Sequence, residues 1–308
     1  METGVVVKST GSRYKVMTPD GRNIECTIKG RFRIKDIQTT NPIAVGDRVK
    51  FSLLPGKEIG IISEIEERKN YIIRKASNLS KKYHIIAANI DQVFLMVTIR
   101  MPKTLQEFID RFLATSEAYR IKSIIIFNKI DLYDEEDTAK MNYLASLYSD
   151  IGYNCYCISV KTGKNVELVK EAMKDKVNLI AGNSGVGKSS LLNLLNPSLK
   201  LKTDELSPYH EQGKHVTTFP EMHPMPFGGY VVDTPGLRGF GIIDMDKNEI
   251  YHFFPEIFRK SKECRFHNCL HVNEPGCAVI PAVESGDIDI MRYRSYLNIL
   301  DDENRKYR

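Results

Sequence analysis

The chain has 308 residues, 42% hydrophobic and 27% charged, a composition typical of a globular protein with room for two or three domains. The sequence contains neither a signal peptide nor an apolar run near the roughly 20 residues that cross a bilayer, so we expect a cytoplasmic protein without a membrane partner. The net charge is +5, and residues 1–89 carry 17 Lys and Arg against 9 Asp and Glu. This surplus favours a polyanionic partner such as RNA, although a merely solvated basic surface has the same composition.

The first third of the chain has the pattern of a small barrel. Short segments rich in Val, Ile and Tyr are separated by Gly or Pro-Asp-Gly turns: "GVVVKS", "RYKVMT", "NIECTIKG", "GDRVKFSLL" and "GIISEIEE". Five such strands predict an all-β OB-fold (oligonucleotide-binding) barrel in residues 1–72. In "KGRFRIK", Phe32 lies among four cations, as in a site that stacks on bases, or else it is a core residue.

The spacing of apolar residues along the chain changes after a basic segment at 67–89, which we interpret as a connector. The apolar runs "DQVFLMVTI", "KSIIIFN", "NCYCIS", "VNLIAG" and "GYVVDTPG" are typical of strands buried on both faces of a parallel sheet. Amphipathic helical patterns such as "TLQEFIDRFLATSEAYR" separate several of them. Residues 73–240 therefore predict an α/β domain, and residues 241–308 predict a small helical domain organised around a cysteine cluster.

A phosphate-binding loop is predicted by "GNSGVGKSS", which fits G-x-x-x-x-G-K-[ST] between a strand and a helix. Its glycines let backbone N–H groups turn toward a β-phosphate, Lys188 reaches the β/γ oxygens, and the Ser189 hydroxyl is a ligand for Mg²⁺. The residues predicted to contact the nucleotide here are Gly182, Asn183, Ser184, Gly185, Val186, Gly187, Lys188, Ser189 and Ser190.

The base is indicated by "NKID", directly after the apolar run "SIIIF". The Asp131 carboxylate accepts both N–H groups on the guanine N1/N2 edge, which adenine does not offer, while Asn128 and the Lys129 stem frame the ring. A second base loop, "ISVKTG", supplies Ser159, Val160 and Lys161, unless it is a plain strand-to-helix turn.

Two switch segments follow the phosphate loop. In "VVDTPGL", Asp233 is predicted to hold Mg²⁺ through water, and the Gly236 N–H to meet the γ-phosphate. In "SPYHEQGKHVTTF" we favour Thr217 as the Mg²⁺ ligand, with Thr218 as the alternative. Leu237 stands where many GTPases have the Gln that orients the attacking water, so His215 becomes the internal candidate, unless it is an ordinary loop histidine.

These motifs occur in rotated order, since "NKID" precedes the phosphate loop by 54 residues. The site is built from loops at the carboxyl ends of parallel strands, so it requires proximity in space and not order in the chain. The order therefore predicts a circularly permuted P-loop GTPase core, in which Mg²⁺ accompanies GTP.

A metal site is predicted by "CRFHNCLHVNEPGC", which reads Cys264-x4-Cys269-x-His271-x5-Cys277. Three thiolates and one imidazole are typical of a closed, structural Zn²⁺ site, and one zinc would offset the small core of such a domain. His267 is a rival to His271, but it lies too close along the chain to Cys269 for both to bind easily.

A permuted GTPase core between a basic barrel and this Cys/His domain resembles the RsgA family, also called YjeQ or YloQ. The resemblance implies GTP hydrolysis stimulated by the small ribosomal subunit, late in that subunit's maturation. It also implies a barrel that contacts rRNA and a zinc domain that reaches the subunit. "GKHVTT" matches the family switch Gly-x-His-Thr-Thr-Thr except at Val216, which implies His215 as catalytic and Thr217 as facing Mg²⁺. Val160 stands where Ala is usual, in a role that needs only its N–H.

Three functions are compatible with these features. The leading one is an RNA-stimulated GTP hydrolase that acts as a late biogenesis factor of the small ribosomal subunit. The second is a GTP-latched rRNA-binding module with little turnover, which the absence of Gln at position 237 leaves open. The third, an ATPase with a nucleic-acid barrel, is opposed by "NKID". The multi-part organisation indicates a monomer.

Overall fold

The computed structural model describes residues 1–28, 42–56, 58–75, 83–201, 220–233 and 245–306. They belong to two compact units. Unit 1 comprises Met1–Val93, Glu167–Ala181 and Lys188–Gly239, and unit 2 comprises Phe94–Val166, Gly182–Gly187 and Phe240–Arg308.

A closed five-stranded barrel begins unit 1. Its strands are β1 (Glu2–Ser9), β2 (Tyr14–Met17), β3 (Asn23–Ile28), β4 (Arg48–Leu53) and β5 (Ile59–Ile65). Strand β1 pairs with both β2 and β4, β3 pairs with β2 and, in parallel, with β5, and β5 pairs with β4. Alternate apolar side chains fill the interior, as the period of two in the sequence predicts: Val6, Tyr14, Val16, Cys26, Val49, Phe51 and Ile62, with Ile43.

The segment interpreted as a connector contains a hairpin instead. Strands β6 (Tyr71–Lys75) and β7 (Tyr83–Ala88) pair antiparallel, and Val45 forms a bridge to Ala87. The segment was interpreted as a connector because of its basic composition, although it contains two runs of Tyr and Ile residues, which have high strand propensity.

In the described residues that follow, unit 1 carries three further strands and two helices. Strands β11 (Val177–Ala181) and β13 (Tyr230–Asp233) are parallel, and β12 (Glu221–Pro224) pairs antiparallel with β13. Strand β12 also pairs with β1, where Lys8 and Glu221 form an ion pair of 2.9 Å, so the barrel is continuous with these strands. The helices are α3 (Val166–Met173) and α4 (Lys188–Leu195), and a 3-10 turn follows at Pro197–Leu199.

Unit 2 contains β8 (Gln92–Val97), β9 (Lys122–Phe127) and β10 (Asn154–Cys157), in the order β10–β9–β8. Strands β9 and β10 are parallel, and β8 is buried along its whole length. Helices α1 (Gln106–Ala118) and α2 (Glu135–Ile151) connect them, with a 3-10 turn at Ile130–Leu132. The Asp134 carboxylate accepts the Asp137 N–H and so caps the start of α2.

The C-terminal part of unit 2 is helical, as predicted. A 3-10 turn at Ile250–Phe253 precedes α5 (Pro255–Ser261), α6 (Val279–Glu284) and α7 (Ile290–Lys306). Ala114 of α1 joins the apolar core of this part, whose largest members include Phe254 and Tyr296. Within the described ranges, no helix combines the length and the apolarity needed to cross a membrane.

A buried ionic network fastens α7 to α1 and α5. Arg292 is fully buried, donates to Glu256 at 2.8 Å through Nε, and donates to Asp110 Oδ1 at 3.0 Å. Tyr148 and Ser295 donate to the two oxygens of Asp110 at 2.7 and 2.6 Å. Burial raises the pKa of the Asp110 carboxyl, and Arg292 opposes that shift. Each carboxylate therefore depends on the guanidinium for compensation.

Replacing Arg292 by Met should destabilise this part of the protein by about 3–5 kcal/mol, because it leaves two buried carboxylates without their cation. Denaturant unfolding of R292M measures the change. R294M is the matched control, since Arg294 is exposed on the same helix and donates to the Met291 sulfur at 3.7 Å, and the stability of this variant should match that of the wild type. Equal stability of R292M and R294M would contradict the account.

Candidate nucleotide site and metal centre

The predicted phosphate loop has glycines where no other residue fits. Gly182 has φ 140° and Gly187 has φ 106°, both in the left-handed region. A Cβ on Gly182 would lie 2.2 Å from the Met96 carbonyl oxygen, and one on Gly187 would lie 2.5 Å from Asn128 Nδ2. The loop is therefore packed closely against the ends of β8 and β9. Helix α4 begins at Lys188, the position that the motif predicts, with Ser189 second.

The Asn128 side chain joins the phosphate loop to both base loops. It is 2% exposed, its Nδ2 donates to the Val186 carbonyl at 2.8 Å, and its Oδ1 accepts the Val160 N–H at 3.1 Å. Neither bond needs a bound ligand. The three loops that the sequence assigned to one nucleotide are thus linked in unit 2.

Hydrogen bonds orient the carboxylate of Asp131, which the sequence predicts to read the base. Asp131 Oδ1 accepts the Ser159 hydroxyl at 2.5 Å, and that hydroxyl oxygen accepts the Thr162 N–H at 3.1 Å. Asp131 is exposed, so its carboxylate is accessible to a ligand. Lys129 has left-handed backbone (φ 67°), and its ammonium donates to the Met101 carbonyl at 2.5 Å. Burial lowers the pKa of Lys129, and Asp131 opposes that shift.

Several predicted site residues have no described geometry. Asp233 ends β13, and its side chain lies outside the described part of the chain. His215, Thr217 and Gly236 lie outside the described residues, as do Phe32, Thr218 and Leu237. Their assigned roles stay predictions.

The cysteine cluster has the geometry of a tetrahedral metal site. The ligand atoms of Cys264, Cys269, His271 and Cys277 all lie within 4.8 Å of one another, and Nδ1 of His271 is 3.6 Å from both Cys264 Sγ and Cys277 Sγ. A tetrahedral zinc ion about 2.3 Å from sulfur and about 2.1 Å from nitrogen requires an S···N separation of about 3.6 Å. The residues therefore fit zinc, with Nδ1 as the ligand atom. The rival His267 is exposed and is not in the cluster.

The surroundings of the cluster hold its loop in place. The Glu274 carboxylate accepts the N–H groups of Leu270, Val272 and Asn273, while Tyr293 and Tyr296 donate to the carbonyls of His271 and Leu270, each at 2.6 Å. Burial raises the pKa of the Cys269 thiol to about 12 and lowers that of His271. The Cys269 thiol keeps its proton until a cation compensates the charge, and the His271 imidazole stays neutral, as a metal ligand must be.

The sequence analysis missed three residues that hold these parts of the structure in place. Tyr133 contacts the backbone of Asn128, Glu274 organises the cluster loop, and Arg292 joins three helices. Only the last had a signal in the sequence, because Asp110 interrupts the apolar face of a helix that also carries Ile109 and Phe112. The other two contacts depend on loop conformations that no periodicity encodes.

A glycine-constrained phosphate loop linked to a base loop with a fixed carboxylate defines a guanine-nucleotide-binding P-loop protein, here with its motifs in permuted order. The family model described as RsgA GTPase matches residues 65–243, and the RsgA N-terminal domain model matches residues 3–62. The chain therefore belongs to the RsgA GTPase family. The family predicted from the motifs is confirmed, and with it the class of enzyme, a GTP hydrolase.

Individual relatives cover nearly the whole chain. The small ribosomal subunit biogenesis GTPase RsgA of Christiangramia forsetii is 53% identical over 99% of this chain and 98% of the relative, and that of Bacteroides fragilis is 54% identical over the same shares. The crystal structure of YjeQ from Thermotoga maritima superposes with a TM-score of 0.81 at 38% identity, covering 98% of each chain. YloQ, described as a circularly permuted GTPase, gives 0.78 at 32% identity, covering 99% and 96%. The predicted fold class is thereby confirmed.

Proposed function

We propose that this protein hydrolyses GTP under stimulation by the small ribosomal subunit and acts late in the biogenesis of that subunit. The observation that carries the proposal is the Asn128 side chain, which links the phosphate loop to both base loops in a chain whose relatives are named small ribosomal subunit biogenesis GTPases. A partner of this kind makes the protein cytoplasmic, and we propose that it acts as a monomer.

The proposed nucleotide contacts fall into two groups. Asn128, Lys129 and Asp131 read guanine together with Ser159, Val160 and Lys161. The phosphates lie on backbone N–H groups and on the Lys188 ammonium, which offsets the negative charge that develops in the transition state. The residues proposed for this second group are Gly182, Asn183, Ser184, Gly185, Val186, Gly187, Lys188, Ser189 and Ser190.

Hydrolysis requires an oriented water and a metal-bound phosphate. Mg²⁺, when bound with GTP, neutralises charge on the β- and γ-phosphates. Ser189 and Thr217 would hold it directly, and Asp233 through water. Leu237 offers no polar atom to the attacking water, so His215 is proposed to orient it, and the Gly236 N–H to sense the γ-phosphate.

In this proposal the barrel and the C-terminal domain contact the small ribosomal subunit. The OB-fold barrel, within residues 1–72, binds rRNA through its basic surface, and the GTPase domain comprises residues 73–240. Residues 241–308 form a domain that holds one structural zinc through Cys264, Cys269, His271 and Cys277. The 3.6 Å separations of the His271 nitrogen from two of the thiols support that ligand set.

The proposal is tested by measuring GTP hydrolysis of the purified, zinc-replete protein alone and with stoichiometric small ribosomal subunits. We expect slow hydrolysis alone and a large stimulation by subunits. Large ribosomal subunits serve as the matched control, because they present RNA of similar charge density. A rate that small subunits leave unchanged would refute the assignment of the partner.

Replacing His215 by Ala should lower subunit-stimulated hydrolysis by about 10²-fold, the usual contribution of a positioned general base or water-orienting group. Binding of the subunit in the presence of a nonhydrolysable GTP analogue should be retained. This outcome distinguishes the enzyme from the GTP-latched rRNA-binding module, for which H215A would change neither quantity. Retained hydrolysis in H215A would remove the histidine from the mechanism.

A further inference from the structure

Tyr133 closes the base-recognition turn that begins at Asn128. The turn runs from the end of β9 through the 3-10 turn at Ile130–Leu132, and Tyr133 is the residue that ends it. The Tyr133 hydroxyl donates to the Asn128 carbonyl at 2.6 Å and accepts the Ile99 N–H at 2.9 Å. One hydroxyl therefore ties the turn to itself and to the loop that follows β8.

That loop, residues 98–104, braces the turn at a second point. Its Met101 carbonyl accepts the Lys129 ammonium at 2.5 Å. The loop is itself held by internal bonds, from the Thr98 hydroxyl to the Pro102 carbonyl at 2.5 Å and from the Thr98 N–H to the Thr104 hydroxyl at 3.2 Å. Loop 98–104 is thus a fixed support to which the turn is attached through Lys129 and Tyr133.

The turn needs such support because its backbone is strained at Lys129. Lys129 has φ 67°, a left-handed conformation that is strained for a residue with a side chain, and such residues persist only where their surroundings hold them. The Asn128 side chain continues from the same turn to the phosphate loop and to Val160. A shift of the Asn128 backbone therefore displaces first the turn that is proposed to read the base.

We infer that Tyr133 is a positioning residue for guanine recognition, whose hydroxyl fixes the "NKID" turn in its nucleotide-binding conformation before the nucleotide arrives. The inference rests on the proposed guanine site and adds to it a residue outside the motif. Burial raises the pKa of Tyr133 to about 12, so the hydroxyl keeps the proton that it donates to Asn128 at neutral pH. Preorganisation of this kind raises affinity by removing the ordering that binding would otherwise require.

The consequence is specific to the base and to binding. The hydroxyl bonds to the turn that is proposed to read guanine and to loop 98–104, and among the described residues it has no hydrogen bond to the phosphate loop. Loss of the hydroxyl should therefore weaken the binding of guanine nucleotides more than the binding of adenine nucleotides. The loss should also raise KM without lowering kcat at saturation, because ground state and transition state are affected equally.

The test is Tyr133→Phe in the full-length protein, with dissociation constants for GDP and ADP measured by displacement of a fluorescent GDP analogue, and KM and kcat for GTP. We expect the dissociation constant for GDP and the KM for GTP to rise about three- to tenfold, because the substitution removes the hydroxyl that makes both hydrogen bonds. The dissociation constant for ADP and the kcat should stay within twofold of the wild-type values.

Tyr153→Phe is the matched control, because the Tyr153 hydroxyl donates to Glu117 at 3.1 Å, within the same unit and away from the nucleotide loops. Y153F should bind GDP as the wild type does. The inference is overturned if Y133F binds GDP as tightly as the wild type. It is also overturned if the affinities for GDP and ADP fall by the same factor, because that result indicates general damage to the fold. A wild type without preference for GDP over ADP would overturn the proposed function itself, and this inference with it.

Discussion

Replacing Asp131 by Asn should lower the affinity for GDP by about 10²- to 10⁴-fold and create affinity for xanthosine diphosphate. Guanine offers two N–H donors to the carboxylate, and hydrogen bonds to a charged group contribute about 1.5–3 kcal/mol each. An amide presents one acceptor and one donor, so one guanine N–H faces another N–H. Xanthine carries a carbonyl oxygen where guanine has its amino group, and that oxygen accepts from the amide.

The Ser159 hydroxyl decides which way the new amide faces. It accepts the Thr162 N–H at 3.1 Å, so its own proton is committed to Oδ1 of Asp131 at 2.5 Å. In D131N the amide oxygen takes that place, because only the oxygen can accept, and the amide NH₂ is directed to the base. The reversal of base preference thus follows from a contact already present in the protein.

Isothermal titration with GDP and xanthosine diphosphate measures both effects. E135Q is the control, since Glu135 is an exposed acid in the first turn of α2, close along the chain to Asp131. Its affinity for GDP should equal that of the wild type. A D131N protein that still prefers GDP would show that Asp131 does not read the base.

The sequence predicts the nucleotide site well because its parts are local. Each contact group follows an apolar strand within a few residues, and parallel strands end at one edge of a sheet. This rule anticipates the bond from Asn128 to Val186, although 58 residues separate them. It does not extend to Tyr133, because the bond of its hydroxyl to Ile99 depends on the path of a loop and not on a strand end.

Strand pairing and burial explain what was missed elsewhere. The hairpin of β6 and β7 was interpreted as a connector because its central residues are basic, whereas pairing depends on a partner strand that local composition does not reveal. Similarly, nothing in the spacing between Asp110 and Arg292 indicates an ion pair across 182 residues. The barrel was predictable because five alternating segments in one stretch leave few other ways to bury their apolar faces.

Removing zinc should unfold the loop around the cysteine cluster and loosen the helices that pack on it, while the barrel stays folded. The free energy of zinc binding in small zinc-finger peptides is about 10–16 kcal/mol, which sets the upper limit of the effect. Cys269 and Cys277 are part of the apolar core that contains Ile257 and Tyr296. Without the ion, the thiols and the Nδ1 atom of His271 stay buried in that core without the cation that would compensate them.

The measurement is zinc content by mass spectrometry together with limited proteolysis, in the wild type treated with chelator and in C269A. We expect one zinc per chain in the untreated wild type, loss of the ion in both altered samples, and new cleavage within residues 245–306. The barrel, residues 1–28 and 42–65 of the described chain, should remain resistant, since its core is built from other side chains.

Two control variants separate the metal from the mere loss of a side chain. H267A removes the rival imidazole, which is exposed, and C155A removes a half-buried thiol that lies outside the cluster. Both should keep one zinc and the wild-type cleavage pattern. Loss of zinc in H267A would show that His267, and not His271, is the fourth ligand. A C269A protein that lost its zinc without any new cleavage would mean that packing of Phe254, Tyr293 and Tyr296 holds these helices, and that the ion serves a purpose other than the fold.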